Sequence, residues 1–358
     1  MSKVLVAMSG GVDSSVAAKL LKDAGHECVG CTMKLFDLDE GGNKTCCSAD
    51  DTEDARSVAY RLGMPFYAFN FKDEFREKVI DDFTGCYLAG RTPNPCIECN
   101  RHLKFAKLFE RADILGCDCV ATGHYARIAE YGDELALLKA ADDKKDQSYV
   151  LYMLGQKELK RLLLPLGDLT KPKVRAIAEE NGFVNANKAE SQDICFVPDG
   201  DYASAVERFC KGDADKAGAG APAPGDFVDT QGHVLGRHKG IIHYTVGQRR
   251  GLGISAAEPY YVIRIDAARN EVVLGSNSEL FSREVQLKEL FHVQSEELEE
   301  GLRCSAKIRY HHAEQPGVLH KDSDGYRFIF DEPQRAITPG QSLVLYDGDR
   351  VLGGGKIV

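Results

Sequence analysis

Three cysteines and one glycine-rich loop are the residues whose types and spacing can do chemistry. Cys96 and Cys99 stand in "RTPNPCIECNRHLKF" (91–105), behind a stiff Pro-Asn-Pro and ahead of a basic segment. Cys195 lies far along the chain, in "KAESQDICFVPDG" (188–200). A Cys-x-x-Cys pair reads as half a zinc knuckle, as a redox pair, or as the place where one thiol attacks. Structural zinc wants a second close pair, and Cys28/Cys31, Cys46/Cys47 and Cys117/Cys119 are the candidates. Cys28 and Cys31 fall on opposite faces of an expected strand, whereas Cys117 and Cys119 share a face as sheet packing. Cys46/Cys47 sits in a polar loop and is free to reach elsewhere. Two distant thiols have another use. One carries a transferable sulfur as a persulfide, and the other closes on it as a disulfide when that sulfur leaves. Cys99, expected just ahead of a helix and close to Arg101 and Lys104, has surroundings that favour its thiolate.

The loop is "AMSGGVDSS" (7–15), set between a short apolar run and a helical pattern. Gly10 and Gly11 let the backbone approach a ligand closely, and N–H groups at the helix start with the Ser9, Ser14 and Ser15 hydroxyls can cradle phosphate oxygens. Asp13 would repel a bare phosphate, which makes sense of a Mg²⁺ between them. The plain alternative is a glycine turn with a serine cap. The spacing is neither G-x-x-x-x-G-K-[ST] nor G-x-G-x-x-G. It resembles the PP-loop of the ATP pyrophosphatases, which adenylate a carbonyl oxygen so that a nucleophile can displace it as AMP. That resemblance implies ATP without naming the acceptor.

The elements that must position these groups follow from pattern. Over the first ~190 residues, apolar runs at 3–8, 26–36, 64–71 and 117–124 alternate with helical spacing at 12–21, 51–62 and 103–115, which implies an α/β fold with a parallel sheet. Ligands bind such sheets at the carboxyl ends of the strands. A Gly/Ala/Pro spacer at 211–227 has no periodicity. Beyond it, short alternating strands and turns suggest a small, mostly β central module and then a β-barrel. The expected division is 1–198, 199–264 and 265–358, the last being the barrel.

Composition bounds the rest. The 358 residues, 43% apolar and 28% charged, suit a soluble chain of two or three domains. No apolar run reaches the roughly 18 residues of a membrane span. No secretory signal is evident, so the expected location is the cytoplasm, with most of the 12 cysteines reduced. A net charge of −10 argues against a general, charge-driven nucleic-acid binder but not against one that reads a defined shape. The basic clusters Arg101/Lys104/Lys107, Lys171/Lys173/Arg175 and Arg237/His238/Lys239/Arg249/Arg250 are, taken singly, best read as solvated faces.

Longer stretches then add up. "MSGGVDSS", "RTPNPCIECNRHLKF", "ATGHYAR", "KDQSYVLY", "ESQDICF", "HKGIIHYTVGQRRGLGI", "KIRYHH" and "TPGQSLVLYDGD" occur in an order that resembles the bacterial tRNA-specific 2-thiouridylases over nearly the whole chain. The resemblance implies an N-terminal PP-loop domain of the adenine nucleotide alpha hydrolase kind, a central tRNA-binding module and a C-terminal β-barrel. It implies that Cys99 is the attacking cysteine and Cys195 the persulfide carrier. ATP would be held by Ala7, Met8, Ser9, Gly10, Gly11, Val12, Asp13, Ser14, Met33 and Gly123, although spacing alone makes Met33 a core residue. Asn94, Pro95 and Cys96 would face the target base; His124, Asp146, Gln147, Ser148, Arg309, Tyr310 and Gln341 would contact tRNA. The partners implied are tRNAs with Lys-, Glu- and Gln-type anticodons and a sulfur-donor protein.

One departure concerns Cys96, which stands where many such proteins have Asp. A carboxylate there can act as acid or base, whereas an unperturbed thiol with a pKa of ~8.5 is a poor base at neutral pH. Cys96 therefore substitutes as a thiolate, or that role matters little, or Cys96, Cys99 and Cys195 together hold an iron–sulfur cluster. The transferred sulfur either attacks directly from the persulfide or is first released as hydrosulfide. Rival readings are another PP-loop ligase acting on a small molecule, which has no use for two distant thiols, and a zinc-stabilised RNA-binding protein without catalysis.

Overall fold

The computed structural model describes residues 1–36, 49–189, 194–211, 223–323 and 325–358. Cys46/Cys47, residues 190–193 and most of the 211–227 spacer lie outside the described residues. The first sheet has five parallel strands in the order Phe66–Asn70, Glu27–Lys34, Lys3–Ala7, Cys119–Ala121, Leu162–Leu163. Its central strand carries Val4, Leu5 and Val6, all fully buried, because a parallel sheet is covered on both faces. On one face Val4, Val6 and Met8 pack with Val16, Ala55, Ala59 and Val174 of the helices Val12–Asp23, Ala49–Arg61 and Lys171–Glu180. On the other, Leu5, Val29 and Val120 pack with Leu108 and Ala112 of helix Ala106–Ile114. This is the expected doubly covered α/β layer.

The cysteines of this sheet divide between the two faces. Cys28 belongs to the first cluster and Cys31 to the second, as alternation requires. Cys117 and Cys119 do not share a face. Cys117 packs with Leu108 and Cys119 against the opposite cluster, because Cys117 and Asp118 precede the strand and alternation starts only at Cys119.

A central four-stranded sheet follows, in the order Tyr261–Asp266, Glu271–Gly275, Gly225–Val228, Val234–His238. A division at 265 passes through its first hairpin, both strands of which pair into this sheet. The last sheet runs Phe281–Leu287, Gly325–Arg335, Gln315–Asp322, Leu302–Lys307, Ser342–Asp347, Arg350–Lys356, with Phe291–His292 also on the final strand. A bridge between Leu287 and Ile357 brings its first strand back to its end, the barrel-like closure expected there. The hairpin formed by Arg127–Tyr131 and Glu134–Leu138, encoded within the α/β part, extends this same sheet through Arg350 opposite Leu138. No helix among the described residues is long and apolar enough to cross a membrane.

Candidate active site

One cavity of about 330 Å³ opens at the carboxyl ends of the parallel strands. Its glycine-rich corner is made where strand Lys3–Ala7 turns into helix Val12–Asp23. Met8 N extends the parallel ladder by donating to Cys31 O at 2.7 Å. Gly10 then turns with φ +77°, and a Cβ there would stand 2.2 Å from Asp51 O, so only glycine fits. Gly11 caps the helix without any side-chain hydrogen bond to its first turn. Ser14 Oγ accepts from Ser9 N (3.2 Å) and donates to Gly11 O (3.1 Å), which fixes the loop. The first-turn N–H groups are therefore left for an anion, with the helix dipole behind them. Gly123 closes the other side, where a Cβ would come within 2.7 Å of Ser14 N.

Two lysines from distant segments serve this corner, and nothing in the local pattern announces them. Lys171 Nζ lies 2.7 and 2.8 Å from the two carboxylate oxygens of Asp13, and Tyr125 donates its phenol to Asp13 Oδ1 at 2.8 Å. Asp13 is thus already paired with an ammonium and a phenol, so its charge does not require Mg²⁺ for balance. Lys188 Nζ reaches Asp51 (2.5 Å), Asp54 (2.6 Å) and Gly10 O (3.4 Å). Asn185, also buried, donates to Gly10 O and Ser15 Oγ, each at 2.9 Å. Ala7, Met8, Thr32 and Met33 line the neighbouring wall. Met33 also packs against two core clusters, so it is both core and wall.

The opposite wall carries sulfur. Asn94 caps helix Pro95–Cys99 by accepting from Cys96 N at 3.2 Å, and Pro95 occupies the first turn where its missing N–H is harmless. Cys96 is exposed and Cys99 is 6% exposed; both line the cavity, and so does Cys195. Cys99 belongs to the apolar cluster of Phe75, Leu103 and Phe196 against which Cys195 packs. The helix continues through a π-helical turn, Asn100–Phe105, a rare form that recurs at functional sites. Cys99 is therefore inside a continuous helical run rather than ahead of one, and the helix-start effect falls on Cys96 instead. Of the two expected basic neighbours, Lys104 lines the cavity, while Arg101 stacks over Phe291 at 4.2 Å, toward the last sheet.

The residues expected at RNA divide. His124 and Gln147 line the cavity. His124 Nδ1 shares a 2.8 Å hydrogen bond with Thr122 Oγ1, and burial, aided by Lys104, pushes its pKa down to about 3, so the ring is neutral. Tyr310 donates to Asp146 O at 3.0 Å, and burial, with Asp146 and Cys96 nearby, pushes its phenol up to about 12. Arg309 is half-buried beside it. Ser148 is fully buried, its hydroxyl donated to Asp146 at 2.8 Å, and Asp146 also accepts from Ala140 N, so both are engaged within the protein. Gln341 is turned toward the protein, where its amide donates to Thr92 O and Pro93 O. Among the described residues no group of three His, Cys, Asp or Glu side chains is arranged to hold a metal ion, which gives the iron–sulfur alternative for Cys96, Cys99 and Cys195 no support.

Comparison with known proteins covers the whole chain. Residues 2–199 match the family described as tRNA methyl transferase HUP domain, 218–276 the tRNA methyl transferase PRC-barrel domain, and 282–357 the aminomethyltransferase beta-barrel domain. The tRNA-specific 2-thiouridylase MnmA of Clostridioides difficile is 50% identical over 363 residues, 99% of this chain and 98% of that one. That of Acetivibrio thermocellus is 50% identical over 366 residues, 99% of each. Among solved structures, a 4-thiouridine synthetase–RNA complex with bound ATP is similar at TM-score 0.39 and 18% identity, over 55% of this chain and 45% of that one.

Proposed function

Because the chain belongs to the tRNA-specific 2-thiouridylase family, we propose that it replaces O2 of a tRNA wobble uridine with sulfur, using ATP to activate the oxygen. The observation that carries this reading is a single cavity lined by the PP-loop corner and by both thiols. The uncapped first turn of helix Val12–Asp23 fits a polyphosphate, and Asp13 stands at the cavity wall with Lys171 fixing its carboxylate. ATP bound there supplies the adenylyl group that makes O2 a leaving group.

The chain's own residues do the rest. A stacked base cannot reach a recessed thiol, so the uridine must leave its stack to enter between Pro95/Cys96 and His124. His124, neutral at physiological pH, can accept or donate one hydrogen bond to the base without adding charge. The persulfide on Cys195, loaded by a sulfur-donor protein, attacks C2 with its outer sulfur, and AMP departs with O2. Cys99 thiolate then attacks Cys195 Sγ, the bond to the transferred sulfur breaks, and 2-thiouridine leaves a Cys99–Cys195 disulfide that an external dithiol reduces.

The test is incubation with ATP, a persulfide donor and unmodified tRNA transcripts, followed by nucleoside mass analysis. A uridine with oxygen exchanged for sulfur supports the proposal. The matched domain descriptions name methyl transfer, for which the paired Cys99 and Cys195 thiols have no use; a methylated nucleoside in the same assay would sink the thiolation reading.

A further inference from the structure

While Pro95, Cys96 and Cys99 line the cavity, the same segment is gripped elsewhere by the last residues of the chain. Gln341 Nε2 donates to Thr92 O at 2.8 Å and to Pro93 O at 3.2 Å. Thr92 N in turn donates to Pro339 O at 2.9 Å. Gly340, with φ +92°, makes this approach feasible, since a Cβ there would stand 3.0 Å from both Thr92 N and Thr92 O. Lys356 Nζ lies 3.0 Å from Glu98 Oε1, and Glu98 Oε2 lies 3.3 Å from His102 Nε2. Glu98, between the two cysteines, is 6% exposed, and a carboxylate so buried is tolerated only with partners.

Gln341 and Lys356 act from one rigid piece. Ser342 pairs with Lys356 across two antiparallel strands, Gly340 N donates to Ile357 O at 2.9 Å, and Ile357 N donates to Gln341 O at 2.8 Å. Both N–H groups of the Gln341 amide are directed at loop carbonyls, which leaves it no donor for RNA in this arrangement.

We propose that Gln341 and Lys356 are positioning residues for sulfur transfer: from the turn before strand Ser342–Asp347 and from strand Arg350–Lys356 they fix segment 92–99 so that Cys99 is presented to Cys195. The C-terminal sheet is then part of the sulfur-transfer apparatus. This rests on the reading of Cys99 as the reacting thiol. Removing either grip lets the segment shift, and a displacement of about 1 Å at a reacting group costs up to a hundredfold in rate.

The test uses the full chain with Gln341→Leu, Lys356→Met and Lys356→Arg, and two readouts. One is the rate at which iodoacetamide alkylates Cys99 and Cys195, followed by peptide mass analysis. The other is kcat and KM for tRNA thiolation. Gln341→Leu and Lys356→Met should raise Cys99 alkylation about threefold or more with Cys195 unchanged, because local opening exposes the segment that carried the grip. They should lower kcat by about tenfold or more with KM for tRNA within about twofold, and Lys356→Arg should restore both readouts. A raised KM at unchanged kcat would make Gln341 an RNA contact and overturn the proposal, as would unchanged Cys99 alkylation. If no chain thiolates tRNA, alkylation alone decides, so failure of the functional reading stays distinguishable. Should Lys356→Met not fold, Glu98→Gln removes the same ion pair while keeping shape, and the same outcomes apply.

Discussion

The two ends of the cavity are built differently. At the glycine-loop end, Ala7, Met8, Ser9, Asp13 and Ser14 of one strand–turn–helix stretch line the wall, and distant side chains such as Lys171 and Lys188 brace it. At the sulfur end no single stretch suffices, because Cys99 and Cys195 come from separate segments and the Cys99 helix is held by Gln341 and Lys356 from the far terminus. Backbone sites depend on whether a few φ values and close approaches are allowed. Assembled sites depend on whether remote pieces stay docked. The first kind should fail all at once, and the second should fail one step at a time.

The largest expected effect sharpens that contrast. Cys99→Ser should abolish thiolation while tRNA-dependent pyrophosphate release continues within about threefold, since a hydroxyl cannot close the disulfide but leaves the phosphate corner untouched. Equal loss of both partial reactions would break the comparison. Gly10→Ala should weaken ATP binding and pyrophosphate release together by roughly a hundredfold, because the methyl meets the Asp51 carbonyl and φ is positive; calorimetric titration of a non-hydrolysable ATP analogue measures it.

Lys171→Met comes next, with pyrophosphate release down about tenfold and Lys171→Arg partly restoring it, because Asp13 loses its ammonium partner in a half-buried site. Unchanged kinetics would show that Asp13 needs no bracing. The smallest effect is on stability alone. His124 has a folded-state pKa near 3, below its ordinary value, so only the unfolded chain takes up this proton as pH falls below about 6.5. Stability contributed by the neutral ring is therefore present above that pH and lost beneath it, by about 2 kcal/mol at pH 5. His124→Gln should flatten the acid limb of the urea-denaturation profile by that amount, and an unaltered limb would contradict the assignment.

Much of this arrangement could be read along the chain because it is local. The run of Val4 to Val6, the glycines at 10 and 11 and the helical spacing after them lie within one strand-turn-helix unit, and period-two alternation correctly separated Cys28 from Cys31. What escaped reading is long-range. Lys171 meets Asp13 across 158 positions, and nothing in a Lys-Pro-Lys helix start says which carboxylate it will find. Arg101 and Lys104 looked equivalent beside Cys99, yet an aromatic ring on the last sheet draws one of them away. Cys117 misled because the strand begins two residues later than its apolar run. Ser148 lies in a polar stretch, and the docked sheet covers it, with Tyr346 Oη 3.4 Å from its hydroxyl.

The hairpin within 127–138 has a bearing on how the molecule is made. It emerges from the ribosome long before its neighbour in the sheet, Arg350–Lys356. Arg127 waits 222 positions for Asp349. Until then its outer edge is unpaired, open to wrong strands and to neighbouring nascent chains. Severing the chain between the two would leave that ribbon without its partner, so the pieces should not be separable as independent soluble proteins, and synthesis must reach strand Arg350–Lys356 before the architecture locks.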